Sequence, residues 1–282
     1  MTSNPSGGRA PGPTRAAITG ATSGLGRELA RQLGARGWRV ALTGRRADAL
    51  AETARLVREA GGEPLILTGS VTDDAEVRAH YAAIRSAWGG LDWAILNAGV
   101  GDSMSAREFS AETVRWTFDA NVLGAARWLE AVLPDMLAQE SGVVAGIASL
   151  AGFRGLPNSG PYSASKAALM TLLESARVDL RGTGVDVVTV CPGFVKSEMT
   201  DRNNPSSMPF LMETPDGAAA ILRGIDARRR VVHFPWQLSY ATKYGLAHLP
   251  DFAYDWLAAK LGPLRKKKPS AEGSARRGGI KP

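Results

Sequence analysis

Cysteine is nearly absent. Cys191 stands alone in 282 residues, which excludes an internal disulfide and points to a reducing environment. The three histidines, His80, His233 and His248, lie too far apart in sequence to suggest a metal cluster. Long apolar runs are missing too: no stretch approaches the ~20 consecutive apolar residues that span a bilayer. The opening stretch, MTSNPSGGRAPGPTRA, is rich in Pro, Gly and Ser and has no apolar core of the kind a secretory signal needs. Cytoplasmic residence is the default expectation, with attachment to a membrane surface left open.

The body also lacks an excess of charge, although the chain as a whole is formally +7. Residues 1–15 hold two bases and no acid, and residues 263–282 hold seven bases against Glu272. The 247 residues between them carry 25 bases and 26 acids. Basicity therefore belongs to the tails. A nucleic-acid binder is disfavoured, because the basic tail has no interleaved aromatics and the body is neutral.

What is present is the composition of one globular α/β domain, 44% hydrophobic and 22% charged. Short aliphatic or β-branched runs predict strands at 15–19, 39–43, 64–68, 91–97, 142–149, 185–191 and 231–234. Amphipathic stretches between them predict helices at 24–36, 47–60, 73–87, 113–138, 161–181 and 215–227. The alternation predicts a doubly wound (Rossmann) seven-stranded parallel sheet with helices on both faces. Residues 1–14 and 263–282 are expected to be disordered.

The first strand runs through Gly20-Ala21-Thr22-Ser23-Gly24-Leu25-Gly26 into a helix. Glycines there let the backbone turn tightly and approach a pyrophosphate, while the helix start supplies N–H donors and partial positive charge. At the end of the second strand, where an acid would select the ribose 2′-OH of NAD, stand Arg45 and Arg46. A guanidinium suits a 2′-phosphate, so NADP(H) is favoured, with NAD(H) as the alternative. Tyr162 and Lys166 lie four apart and share a helix face. Asn97 and Ser149 stand at the carboxyl ends of strands, where ligands bind in such sheets.

In this order the residues resemble the short-chain dehydrogenase/reductase family, in its compact single-domain branch. The likeness rests on TGATSGLG at 19–26, LNAG at 96–99, Asn121 within a helix, Ser149, YSASK at 162–166 and CPGFVKS at 191–197. The resemblance implies Tyr162 as acid/base, Lys166 as its electrostatic partner, Ser149 as holder of the substrate oxygen and Asn121 as anchor of a proton-relay water. It further implies a cofactor site at Gly20, Thr22, Ser23, Gly24, Leu25, Gly26, Arg45, Arg46, Ser70, Val71, Asn97, Ala98, Gly99, Tyr162, Lys166, Pro192, Gly193, Val195 and Ser197. Two positions depart from the pattern: Ser70 stands where an acid usually meets the adenine amine, and Ser197 where threonine is usual.

Magnitudes bear on Tyr162. To act as a base near pH 7, a phenol with pKa ~10 must fall by about 3, roughly 4 kcal/mol, and a nearby ammonium supplies ~1–3 of pKa. In the reduction direction a protonated Tyr162 serves directly as general acid. The domain reading follows: an NAD(P)-binding catalytic domain at 15–235, a helical extension at 236–262 and the basic tail. The stretch 196–217, with Met199, Met208, Phe210, Leu211 and Met212, reads as a lid over an apolar pocket, faced by Phe153, Leu156 and Pro157. The expected activity is reduction of an apolar, lipid-like or 3-keto-acyl carbonyl compound, or oxidation of the matching secondary alcohol. The alternative is a dinucleotide-sensing regulatory protein of the same fold. A homodimer or homotetramer is expected. Phe252, Trp256, Leu257 and Leu261 recur at near-helical spacing ahead of the bases, which suggests docking on the parent domain or a second subunit, or a peripheral contact with an anionic membrane.

Overall fold

A computed structural model describes residues 14–201 and 208–261. Residues 1–13 of the expected arm, the whole basic tail and the middle of the expected lid lie outside the described residues. Seven strands form one sheet: β1 (Arg15–Thr19), β2 (Arg39–Gly44), β3 (Glu63–Thr68), β4 (Trp93–Leu96), β5 (Gly142–Ile147), β6 (Val185–Pro192) and β7 (Val231–Phe234). All neighbours are parallel, in the order β3-β2-β1-β4-β5-β6-β7. The order reverses between β1 and β4, so a crevice opens at their carboxyl ends.

The crossovers are α1 (Gly24–Gly34), α2 (Ala47–Glu59), α3 (Asp74–Trp88), α4 (Ala111–Phe118), α5 (Gly124–Ala138), α6 (Gly160–Asp179) and α7 (Thr214–Asp226). On one face of the sheet Leu29, Leu33, Leu50, Val57, Ile221 and Leu222 from α1, α2 and α7 bury against strand residues such as Ile18 and Ile95. On the other, Ile84, Trp128, Val132, Leu169 and Leu173 from α3, α5 and α6 do the same. Parallel strands buried on both faces read as near-continuous apolar runs, which is why they were legible.

Two strands stop earlier than predicted, because Asn97 and Ser149 serve turns and not the ladder. The Asn97 N–H donates to Ile95 O, and the Ser149 hydroxyl accepts from Ala151 N at 3.1 Å, capping a 3₁₀ turn at Leu150–Gly152. The long helix predicted at 113–138 is interrupted. Between α4 and α5 lies a π turn at Asp119–Leu123, where Asn121 bonds both backbone groups of Val100.

The chain divides into two compact units, Met1–His248 and Leu249–Pro282. The expected extension at 236–262 thus spans the end of the first and the start of the second. In the first unit, β7 is followed by α8 (Trp236–Tyr240), a π turn at Ala241–Gly245 and a 3₁₀ turn at Leu246–His248. The second contains α9 (Asp251–Leu261), which exposes Phe252 and Trp256 and sets the Lys260 ammonium 3.7 Å from the centre of the Trp256 ring. Among the described residues no helix is long and apolar enough to cross a membrane.

Candidate active site

The glycine turn after β1 is shaped by contacts that leave no room for side chains. Gly20 has φ +68°, and a Cβ there would stand 2.9 Å from Ala98 Cα; one on Gly26 would stand 2.2 Å from Gly20 O. Gly24 also has positive φ. Asn97 ties the turn to β4, its amide donating to Thr19 O at 3.0 Å and Gly20 O at 3.2 Å, while Ala98 N donates to the Thr19 hydroxyl at 2.8 Å. Ser23 precedes α1 without capping it through its side chain, and the first turn of that helix contains no acid. A backbone cradle at an uncapped helix start fits a pyrophosphate.

The four expected catalytic residues meet at the carboxyl ends of β4 and β5. Lys166 is buried, and its Nζ donates to Ile147 O at 2.8 Å and lies 5.6 Å from the centre of the Tyr162 ring. Tyr162 is half-buried and hydrogen-bonds Ser149. The amide nitrogen of Asn121 donates to Ser165 Oγ at 2.9 Å, and that hydroxyl donates to Tyr162 O at 2.8 Å. Gly99 closes the group: a Cβ there would lie 3.2 Å from Lys166 Nζ and 3.3 Å from Asn121 Oδ1.

Burial raises the Tyr162 phenol above its ordinary value, with the Ser149 hydrogen bond pulling the other way. Burial also lowers the Lys166 ammonium to about 8. The sequence sets an ammonium against the fall a base would need; in the structure burial outweighs the Ser149 hydrogen bond and the phenol is raised.

Arg45 and Arg46 are both exposed at the end of β2, but they differ in company. Arg46 pairs with Glu198 at 3.0 Å and donates to the Thr22 hydroxyl at 3.2 Å. Arg45 forms no ion pair among the described residues. Glu198 also accepts from Ser23, and these partners hold its carboxyl below the usual range. The Ser70 hydroxyl is engaged locally with Thr72, and Val71 packs at Gly124, beside the π turn. Ser197 and Val195 border the turn from the other side: Ser197 Cβ stands 3.1 Å from where a Cβ of Gly24 would be, while Val195 lies near Gly217 and bridges Met212. That bridge closes the base of the expected lid, in which Phe210 and Leu211 are exposed and Met208 is buried. Of the residues expected to face it, Phe153 packs against the core beneath the sheet, and Leu156 and Pro157 are exposed. At the end of β6, Pro192 pairs with Phe234, and Gly193 N donates to Phe234 O at 2.7 Å.

Three participants escaped the sequence reading. Gly101 lies against Tyr162, where a Cβ would come within 2.7 Å of the ring. Ser165 links Asn121 to Tyr162, and Glu198 occupies Arg46. Only Ser165 carried a signal, its place inside YSASK.

A family model described as short chain dehydrogenase matches residues 14–207. An uncharacterized oxidoreductase of Myxococcus xanthus is 47% identical over 87% of this chain and 96% of its own length. The ketoacyl reductase HetN of a Nostoc species is 33% identical over 74% of each chain. Among solved structures, a short-chain dehydrogenase/reductase from Burkholderia phymatum in complex with NAD superposes with a TM-score of 0.76 at 28% identity, over 87% of this chain and 95% of that one.

Proposed function

The chain belongs to the short-chain dehydrogenase family, an NAD(P)-dependent oxidoreductase acting on alcohol or ketone groups, and we propose that it is an NADP(H)-dependent reductase of apolar ketones. The bound nicotinamide dinucleotide supplies the hydride. Tyr162 gives its proton to the carbonyl oxygen, which Ser149 positions by a second hydrogen bond. Lys166 places a positive charge behind the Tyr162 ring, and Asn121 holds the Val100 backbone and a proton-relay water. The observation that carries this reading is geometric: Tyr162 hydrogen-bonds Ser149, and the Lys166 ammonium lies 5.6 Å from the centre of its ring. A protonated phenol is ready for reduction, whereas oxidation needs it ionised. NADP(H) preference is supported by Arg45, an exposed guanidinium without a carboxylate partner among the described residues, at the strand end where no acid stands.

The expected assembly is a homodimer or homotetramer. The second unit and the basic tail are assigned to contact with an anionic membrane surface, where an apolar substrate would be dissolved. The catalytic reading is tested by Tyr162→Phe, assayed as NADPH oxidation against panels of aliphatic, steroidal and 3-keto-acyl carbonyl compounds. NADPH binding should stay nearly intact while kcat falls at least ~100-fold. Near-wild-type turnover by the variant would remove Tyr162 from the chemistry.

A further inference from the structure

Gly101 meets the ring of Tyr162 with bare main chain. A Cβ at this position would stand 2.7 Å from Tyr162 Cδ2 and 3.3 Å from Cγ and Cε2, so the three nearest atoms all belong to that one ring. No positive φ calls for glycine here. What excludes a side chain is the ring itself: carbon contacts settle at about 3.5–4.0 Å, so an added methyl would drive main chain and ring apart by about 1 Å.

The main chain on its side of the contact is held at both ends. Before Gly101, Val100 N donates to Asn121 Oδ1 at 2.7 Å and Val100 O accepts from Asn121 Nδ2 at 2.9 Å. After it, Met104 N donates to Asn158 O at 2.9 Å, and Met104 bridges Ser159, the residue before α6. Tyr162 stands in the first turn of α6, and its carbonyl accepts from Ser165 Oγ, which accepts in turn from Asn121. One buried amide thus fixes both the backbone of Tyr162 and the main chain on which its ring lies. The displacement that a methyl demands falls on the ring, and so on the hydroxyl that bonds Ser149.

We propose that Gly101 is a positioning residue: its bare main chain is the stop against which the Tyr162 ring rests, and it sets where the phenolic hydroxyl meets the substrate oxygen. This rests on the reading of Tyr162 as proton donor. Misplacing a reacting group by about 1 Å costs up to ~100-fold in rate, so Gly101→Ala should lower kcat by about 10- to 100-fold with NADPH and the best carbonyl compound of the panel. KM for that compound, and NADPH affinity by fluorescence titration, should stay within about 3-fold. The solvent deuterium isotope effect on kcat should rise, since a misplaced phenol slows the proton transfer. In a Tyr162→Phe background, where no hydroxyl remains to misplace, Gly101→Ala should change the residual turnover by less than about 2-fold. Equal losses in both backgrounds, an unchanged isotope effect, full turnover in Gly101→Ala, or loss of NADPH binding along with turnover would each overturn the positioning role, and the reductase reading would stand as long as Tyr162→Phe alone is slow. Near-wild-type turnover by Tyr162→Phe would remove that reading and the role of Gly101 with it.

Discussion

Lys166 is the residue where function and stability pull apart. Its ammonium is buried with one carbonyl acceptor, and its pKa lies at about 8 against an ordinary 10.5. Between those values the unfolded chain binds more protons than the folded one, so this group makes stability rise with pH through that window. Below about pH 8 the whole penalty is present, about 3 kcal/mol. Lys166→Met should therefore melt at a higher temperature than the wild type at pH 7, with the gap closing towards pH 10.5, and should have lost turnover. A variant no more stable than the wild type would mean that the Ile147 carbonyl already compensates the charge. Cofactor choice is argued at the same scale. Arg45→Ala should weaken NADPH binding by roughly 1.5–3 kcal/mol and leave NADH nearly unchanged. Glu198→Gln, which frees Arg46, should tighten NADPH and not NADH; fluorescence titration of both cofactors reads both effects, and equal changes for the two would move these side chains away from the 2′-phosphate. The arginines were visible in sequence because they replace an expected acid. Glu198 was not, because its partner is 152 positions away and surface carboxylates carry no local signature.

At the scale of elements, the π turn shows what periodicity conceals. Apolar spacing continues through 113–138, so the sequence reads as one helix, and the extra residue in the turn changes which backbone groups bond without erasing the pattern. What holds the turn is Asn121 on Val100, 21 positions earlier, a pairing that only the fold creates. The strands, by contrast, were legible to within two residues at each end, because each apolar run is bounded by Gly, Pro or polar turns. Asn121→Leu leaves the N–H and C=O of Val100 without their side-chain partners. Unfolding free energy from urea titration should fall by about 1–3 kcal/mol, together with loss of turnover. Unchanged stability would show that the π turn persists without Asn121.

Across the whole molecule, charge is divided between a neutral body and a basic end. Four adjacent bases, Arg265 to Lys268, offer ~4 kcal/mol at an anionic surface, about millimolar affinity, so useful attachment also needs apolar insertion. Phe252 and Trp256 are exposed for it, although Asp251 and Asp255 share their side of α9. The full chain should co-sediment with anionic vesicles at low salt and release at high salt, and a chain ending at Gly262 should not bind. Equal binding by both would leave the bases as a solvated tail.

The packing of α1 against α7 has a consequence for how the protein is made. Leu29 and Leu33 share a core with Ile221 and Leu222, and Arg36 at the end of α1 pairs with Asp226, 190 positions later. On a ribosome adding ~5–20 residues per second, the first helix emerges roughly 10–40 s before its partner. For that interval α2 and the strands made meanwhile already pack on α1, but its side towards α7 stays uncovered, so the first helix completes its core only after Tyr162 and Lys166 have been translated.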